Sequence, residues 1–200
     1  MNEYVALLLT AVIGYLLGSV STGILYSRAL GRDIRTQASK NAGATTMTRV
    51  HGFAKGLLTF GGDCLKGVLA ALIGKWLGGQ LGACVGGTFA VFGHMWPVFF
   101  GFKGGKGVAT CIGIGLVTYP LFGLLATVVG LTLMLATRYV SVGSMAGLIS
   151  FGVAVTIRYG FWPIGLWGLA LAALVVWKHR SNIRRLLDGN ENKFGKRVEQ

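Results

Sequence analysis

Gly93-His94-Met95-Trp96-Pro97-Val98-Phe99-Phe100-Gly101-Phe102-Lys103-Gly104-Gly105-Lys106-Gly107-Val108-Ala109-Thr110 leaves one apolar run, crosses a turn of small residues holding two lysines, and enters another. Four glycines within seven residues (Gly101, Gly104, Gly105 and Gly107) free the backbone for positive φ and for close approach to a ligand. Successive exposed N–H groups in such a turn form a concavity suited to an anion, and Lys103 and Lys106 add charge beside it. A helix beginning at Val108 would aim its positive N-terminal end at the same place. The chemistry implied is recognition of phosphate or carboxylate at a membrane surface. A plain cytoplasmic loop between two membrane segments would read the same way. The turn is not a Walker A loop, since Phe100 stands where the first glycine is needed and Gly107 where Ser or Thr is needed. No G-x-G-x-x-G dinucleotide fingerprint is present either.

The runs on either side set the class. Of 200 residues, 53% are hydrophobic and 12% charged, against roughly 25% charged in an average soluble domain. With a mean hydropathy of +0.64, this is the composition of a polytopic membrane protein. The 33 glycines suit close helix–helix approach in lipid, where small residues form the contacts. Cys64, Cys84 and Cys111 are isolated in apolar stretches and read as free core thiols. The net charge of +13 sits in short clusters between apolar runs. It therefore fits anionic headgroups and anionic substrates rather than nucleic acid. A cleaved signal peptide does not fit the start of the chain, because Glu3 precedes the first apolar run and the arginines follow it.

A membrane-crossing helix needs about 20 apolar residues. Tyr4–Tyr26 meets this, and Arg28–Lys55 is a polar, basic loop. Gly56–Trp76 crosses back, Leu77–Gly79 is a short turn, and Gln80–Val98 returns to the glycine/lysine stretch. Gly107–Thr137 is too long for one span and short for two. Tyr119-Pro120 splits it, because the residue before proline avoids the helical region. Val142–Ile157 and Phe161–Trp177 complete the set, and the tail Lys178–Gln200 is basic. The expectation is an all-α integral membrane protein, a polytopic bundle of seven transmembrane helices with one short, in a single domain over residues 1–200. A five-span arrangement, with 107–120 and one neighbour lying at the interface, is the alternative. Sixteen of the 19 Lys and Arg fall in segments read as inside, two (Lys75, Arg158) outside, and Lys66 within a span. By the positive-inside rule the N-terminus is expected outside and the C-terminus in the cytoplasm.

Three polar segments are then cytoplasmic. Ser39-Lys40-Asn41-Ala42-Gly43-Ala44-Thr45-Thr46-Met47-Thr48-Arg49 is rich in hydroxyl and amide groups, with a guanidinium behind them that matches phosphate bidentately. It would serve equally as a capped loop entering a helix. The glycine/lysine turn is the second. The third joins Arg138–Ser144, including Ser141, to Lys178-His179-Arg180-Ser181-Asn182-Ile183-Arg184-Arg185, which also reads as a basic flank beside anionic lipid. Asp63 and Lys66, three apart inside a span, share a helix face and can pair, either structurally or in support of a site. His94 reads equally as a buried side chain or a site residue, and His51 as a surface loop residue. Some machinery is missing. No His-x-x-x-x-Asp dyad, no Gly-x-Ser-x-Gly elbow and no Asp/Glu cluster for Mg²⁺ occurs.

From Gly18-Ser19 to Glu191 the chain resembles the bacterial acyl-phosphate:glycerol-3-phosphate acyltransferases, the PlsY family. The resemblance is carried by Ser39-x-Asn41-x-Gly43-Ala44-Thr45, by Asp63-x-x-Lys66-Gly67 and by the central stretch from Gly93 to Thr110. It is completed by Arg138-Tyr139-Val140-Ser141-x-x-Ser144 and by His179-Arg180-x-Asn182-Ile183-x-Arg185-Leu186-x-x-Gly189-x-Glu191. Thr46 departs from the Asn usual in the family, and Ala42 from a common Pro. The resemblance implies transfer of an acyl chain from acyl phosphate to the 1-hydroxyl of glycerol 3-phosphate, the first acylation of phospholipid synthesis, in the bacterial inner membrane. It implies catalytic roles for Ser39, Arg49, Lys106, Ser144, His179 and Asn182. Phosphate contacts would come from Asn41, Gly43, Thr45, Lys103, Gly104, Gly105, Ser141 and Arg180, with Asp63, Lys66 and His94 in support. No metal or cofactor is expected, because an acyl phosphate is already activated. The expected partners are the two substrates, membrane lipid and an acyl-phosphate-producing enzyme, and not nucleic acid. His179 and Asn182 would share one face if the last span continues that far, with His179 or the donor's own phosphate as the base. A transporter for a small phosphorylated anion would also account for the basic loops, but it predicts internal repeats with paired broken helices.

Overall fold

The structure is a computed structural model that describes residues 2–37 and 41–195. Nine α-helices lie among the described residues: α1 (Glu3–Ser19), α2 (Thr22–Ala29), α3 (Ala44–His51), α4 (Phe53–Met95), α5 (Val108–Thr118), α6 (Pro120–Thr137), α7 (Val140–Tyr159), α8 (Leu166–Lys178) and α9 (Arg180–Leu187). They fall into two compact units, divided between Thr118 and Tyr119. Five helical stretches are long and apolar enough to cross a membrane: Glu3–Ala29, Phe53–Phe100, Pro120–Thr137, Val140–Tyr159 and Phe161–Lys178. The protein is a multi-pass membrane protein.

In the first unit, Asn2 starts α1 by accepting the Tyr4 N–H at 2.9 Å. The expected single span Tyr4–Tyr26 is interrupted, because Val20 is extended (φ −71°, ψ 101°) and α2 starts only at Thr22. The loop expected over 28–55 contains a single turn at Ile34–Thr36 and the helix α3. His51, expected in that loop at the surface, instead ends α3 and is half-buried.

The 43-residue α4 is not one rod. Gly78 and Gly79 leave helical geometry, Gly79 at φ +62°, a conformation that glycine alone adopts readily. A methyl group placed on Gly74 would strike the Gly82 carbonyl, and one on Gly86 would lie 2.7 Å from the Ala70 oxygen. In a straight helix residues 74 and 82 would be about 12 Å apart. The helix therefore reverses, as the short turn read at Leu77–Gly79 anticipates, into two antiparallel arms, residues 53–77 and 80–95. α1 lies along the second arm, Gly14 against the Gly86 carbonyl and Gly18 against that of Ala90. α5 wedges beside both arms, Gly67 against the Thr110 carbonyl and Gly87 against the Ile114 side chain. These contacts let backbones meet without side chains between them, which is how helices associate where lipid is as apolar as the core.

The second unit repeats the device. Tyr119 precedes Pro120 at the first position of α6, where proline's missing N–H costs nothing. α6 ends on Arg138 in the left-handed conformation. α6 and α7 pack antiparallel through Gly130, Gly143 and Gly147, and α7 meets α8 where Gly152 faces Gly168. The last span does not run on through the tail. It caps at His179 (φ −91°, ψ 6°), and α9 starts afresh.

Candidate active site

Ser39, with its neighbours Ala38 and Lys40, lies outside the described residues. Just after it, the Asn41 side chain accepts the Gly43 N–H at 3.0 Å, shaping the chain into α3, whose N-cap is Gly43. Thr45 stands in the first turn of α3 and Arg49 one turn on, so both half-buried residues share a face. A helix N-terminus followed by a guanidinium four residues later suits an anion. Thr46 and Ala42, the two departures from the family pattern, are both in the interior, 2% and 0% exposed. Ala42 packs with Ile24, Ile34 and Met47.

The glycine/lysine turn is built differently from its sequence reading. Gly101 (φ +64°) and Gly107 (φ +86°) are left-handed, and Gly104 and Gly105 are not. Instead the Gly105 N–H donates to the His94 carbonyl at 3.0 Å. A methyl on Gly104 would strike that same carbonyl, and one on Gly105 would strike the His94 ring at Nε2. The two glycines are required by His94, not by positive φ. Lys103 is exposed and Lys106 half-buried. Neighbouring segments hold the turn in place. The Arg35 guanidinium donates to the Phe100 carbonyl at 2.6 Å, the Tyr15 hydroxyl donates to that of Trp96 at 2.8 Å, and the Val98 N–H donates to Ser19 Oγ at 3.3 Å. Arg35 is itself paired with Asp33 at 2.7 Å, and that contact holds the Asp33 carboxyl well below its usual range.

Beneath the turn lie three buried ionisable groups. Lys66 Nζ is 2.9 Å from Asp63 Oδ1, the pairing that their spacing anticipates, and His94 Nδ1 is 3.5 Å from the same oxygen. Lys66 also donates to the Val20 carbonyl at 3.0 Å, an acceptor released by the break between α1 and α2.

In the second unit, Ser141 and Ser144 stand one turn apart at the start of α7. His179 is 3% exposed, with Nδ1 2.8 Å from the Val175 carbonyl. A carbonyl only accepts, so Nδ1 carries a proton, which in the neutral form of the ring puts the lone pair on Nε2. Asn182 does not continue a helical face from His179, but its N–H donates to the His179 carbonyl at 2.7 Å. The Arg180 guanidinium carbon lies over Trp177, 4.5 Å from the ring centre, and the guanidinium donates to the Trp177 carbonyl at 3.3 Å.

Sequence reasoning gave Glu191 no role, since an acid in a basic tail reads as a solvated charge. It is 8% exposed and accepts from Ser141 Oγ at 3.0 Å, Asn182 Nδ2 at 2.6 Å and Arg185 Nε at 2.7 Å. Burial pushes its carboxyl up, but the three donors outweigh this and hold it below its ordinary value. The contact also orients the Asn182 amide, with Nδ2 on the carboxylate and Oδ1 facing away as an acceptor. The only signal available was its place in the last stretch carrying the family resemblance. Among the described residues, no three His, Cys, Asp or Glu side chains gather as a metal site would require.

A family model described as glycerol-3-phosphate acyltransferase matches residues 8–189. The glycerol-3-phosphate acyltransferase of Thermoanaerobacter sp. (strain X514) is 44% identical over 192 residues, covering 96% of this chain and 97% of that one. The glycerol-3-phosphate acyltransferase of Clostridioides difficile (strain 630) is 41% identical over 98% of this chain and 100% of its own. Among solved structures, PlsY, an integral membrane glycerol 3-phosphate acyltransferase in its glycerol 3-phosphate form, superposes with a TM-score of 0.89 at 39% identity. That match covers 94% of this chain and 96% of the other. Its lysophosphatidic acid form gives a TM-score of 0.86 at 38% identity. With a match that runs almost end to end through both helical units, the chain belongs to the glycerol-3-phosphate acyltransferase family, the PlsY family of membrane acyltransferases.

Proposed function

We propose that the chain acylates the 1-hydroxyl of glycerol 3-phosphate with acyl phosphate as donor, releasing lysophosphatidic acid and phosphate. The observation that carries this reading is the near full-length likeness to a PlsY structure in its glycerol 3-phosphate form. In the reaction the hydroxyl oxygen bonds to the acyl carbonyl carbon, and the bond from that carbon to the phosphate oxygen breaks. The phosphate leaves with the electron pair. Two phosphates must be held, and two anion-suited places occur in the first unit: the start of α3 with Thr45 and Arg49, and the turn with Lys103 and Lys106. Asn41 and Gly43 extend the first, Gly104 and Gly105 shape the second, and Ser39, outside the described residues, keeps the catalytic role that the family resemblance implies. In the second unit, Asn182 Oδ1 is suited to accept the attacking hydroxyl's proton in a hydrogen bond. His179 Nε2 is suited to take that proton, as is the departing phosphate. Ser141, Ser144 and Arg180 frame this region. Holding the reactants in line and stabilising developing charge are large catalytic terms, and an activated acyl donor needs little else.

The family model runs through both units, which supports one functional domain over residues 1–200. Counting the two arms of α4 and the short α5 separately supports seven membrane helices. The charge asymmetry of the loops supports an outside N-terminus and a cytoplasmic C-terminus in a bacterial inner membrane. A functional link to an enzyme that makes acyl phosphate follows from the donor.

The test offers detergent-purified protein labelled glycerol 3-phosphate with acyl phosphate, acyl-CoA or acyl carrier protein separately, each with chelator present. Product is expected from acyl phosphate alone, at full rate in chelator. Equal product from acyl-CoA, or loss in chelator with recovery on Mg²⁺, would overturn this reading.

A further inference from the structure

Removing an ammonium and a carboxylate from water is costly, and a well-packed apolar pair is often at least as stable as a buried ion pair. Asp63 and Lys66, 1% and 6% exposed, therefore invite the question of what they hold. Asp63 lies on the first arm of α4 and reaches His94, near the end of the second arm, at 3.5 Å. His94 is in turn the surface on which the turn is moulded. Its carbonyl takes the Gly105 N–H, and its ring and carbonyl occupy the space that side chains at positions 105 and 104 would need. Lys106 follows directly. At the other end, Lys66 anchors Asp63 at 2.9 Å and is itself fixed to the Val20 carbonyl at 3.0 Å. One continuous chain of contacts thus runs from the break after α1, through Lys66, Asp63 and His94, to the backbone that presents Lys106.

We propose that Asp63 is a positioning residue for the acyl transfer, its carboxylate fixing His94 and, through His94, the 104–106 backbone that presents Lys106 to a substrate phosphate. This rests on the reading of the turn as a phosphate site. Asp63 touches no substrate in this account. Its effect is on where Lys106 stands.

The test uses inorganic phosphate, a product, as the probe. Asp63→Asn keeps the shape and removes the charge. His94→Asn removes the ring and leaves the Asp63–Lys66 pair, so it serves if Asp63→Asn fails to fold. On full-length protein in detergent with native helix content, either variant should raise the inhibition constant of phosphate about tenfold or more, the scale of one charge-assisted bond. It should lower kcat/KM correspondingly. In a Lys106→Ala background the same substitution should have little further effect, because the lysine that it positions is already gone. Phosphate inhibition unchanged in both variants, or losses that simply multiply with Lys106→Ala, would mean a purely structural role and overturn the proposal. Wild-type protein without acyl-phosphate-dependent activity would overturn the proposed function and this inference with it. An active wild type whose phosphate inhibition ignores Asp63 and His94 would overturn this inference alone.

Discussion

Asp63 and Glu191 are both buried carboxylates, 1% and 8% exposed, yet the groups gathered on them differ in kind. Asp63 meets Lys66 three residues away, as any helix would bring it, and His94 only through the reversal of α4. Glu191 gathers Ser141, Asn182 and Arg185, which are 50, nine and six residues away. The first network lies within membrane-length helix and balances a carboxylate against an ammonium. The second joins Ser141 at the start of α7 to residues past the last span, with two neutral donors and one guanidinium that is 32% exposed. The same carboxylate chemistry therefore costs differently to disturb. Stripping Lys66 from Asp63 leaves a charge stranded out of water, whereas Arg185, the charged donor on Glu191, has water nearby to turn to, although Ser141 and Asn182 are as buried as Lys66.

That contrast sets an order of effects. Lys66→Met should be the most damaging, at roughly 3–5 kcal/mol for an uncompensated buried charge, read as a large fall in thermal midpoint in detergent. Asp63→Leu combined with Lys66→Met should recover most of it. A double variant as unstable as the single one would break the comparison at its root. Glu191→Gln comes next. It loses a charged acceptor and sets an NH₂ among donors, for about 1.5–3 kcal/mol, and the Asn182 amide loses its fixed orientation, so kcat should fall as well. If Glu191→Gln matches Lys66→Met in stability, depth in the membrane is not what separates the two networks. Arg185→Ala should cost less than about 1 kcal/mol, because a partly exposed pair is screened and Ser141 and Asn182 still hold the carboxylate. Activity lost in Arg185→Ala as fully as in Glu191→Gln would show that the guanidinium, and not the carboxylate, organises that region.

The smallest expected effect separates two half-buried groups outside the membrane-length helices by the sign of their pH dependence. Asp33 is held low, first by its hydrogen bond from Arg35. Its stabilisation is complete above the unfolded carboxyl value and is lost only as pH falls toward the depressed folded one. Between pH 7.5 and 5.5 it should contribute no slope. His51 runs the other way: burial first, then Lys55 and Arg32, lower its pKa from 6.5. The fold accommodates the neutral ring, so stability should decline slightly as pH drops through 6.5. His51→Gln should reduce that decline and Asp33→Asn should leave it unchanged. Thermal midpoints across this range check both, and an unaltered slope in His51→Gln would refute the assignment.

What was legible in the sequence was what depends on neighbours along the chain. The Tyr119-Pro120 break, the reversal before Gln80 and the Asp63–Lys66 pair all follow from spacing or from one residue's stereochemistry. The break at Val20 did not, since nothing local in Gly18-Ser19-Val20-Ser21 demands it. Distant groups complete it, with Lys66 on the Val20 carbonyl and the Val98 N–H on Ser19. α3 hid among threonines that read equally well as loop. Gly104 and Gly105 stand out in the sequence as a turn, but their contact with His94 does not. A sequence shows that a side chain is excluded there, not that His94 is what excludes it. Glu191 was illegible for the same reason, because its worth lies in three residues that only folding brings to it.

The shortness of α5 has a consequence for how a greasy substrate meets this protein. Its 11 residues extend about 16 Å, roughly half the 30 Å of a bilayer's hydrocarbon. Its far end is tied near the reversal of α4, where Gln80 donates to the Thr118 carbonyl at 2.9 Å. Its near end therefore stops short, and a methyl group placed on Gly107 would lie 2.8 Å from the Met95 side chain and 3.0 Å from that of Val91, back alongside the last turn of α4. The start of α5, which follows the lysine turn, is thus set back along α4. Lifting an acyl chain out of lipid costs about 0.8 kcal/mol per methylene, so a dozen methylenes would cost on the order of 10 kcal/mol. A cationic turn set back in this way would let the protein take the proposed donor by its phosphate while the tail stays dissolved in the bilayer, so that the desorption cost would not enter the reaction barrier.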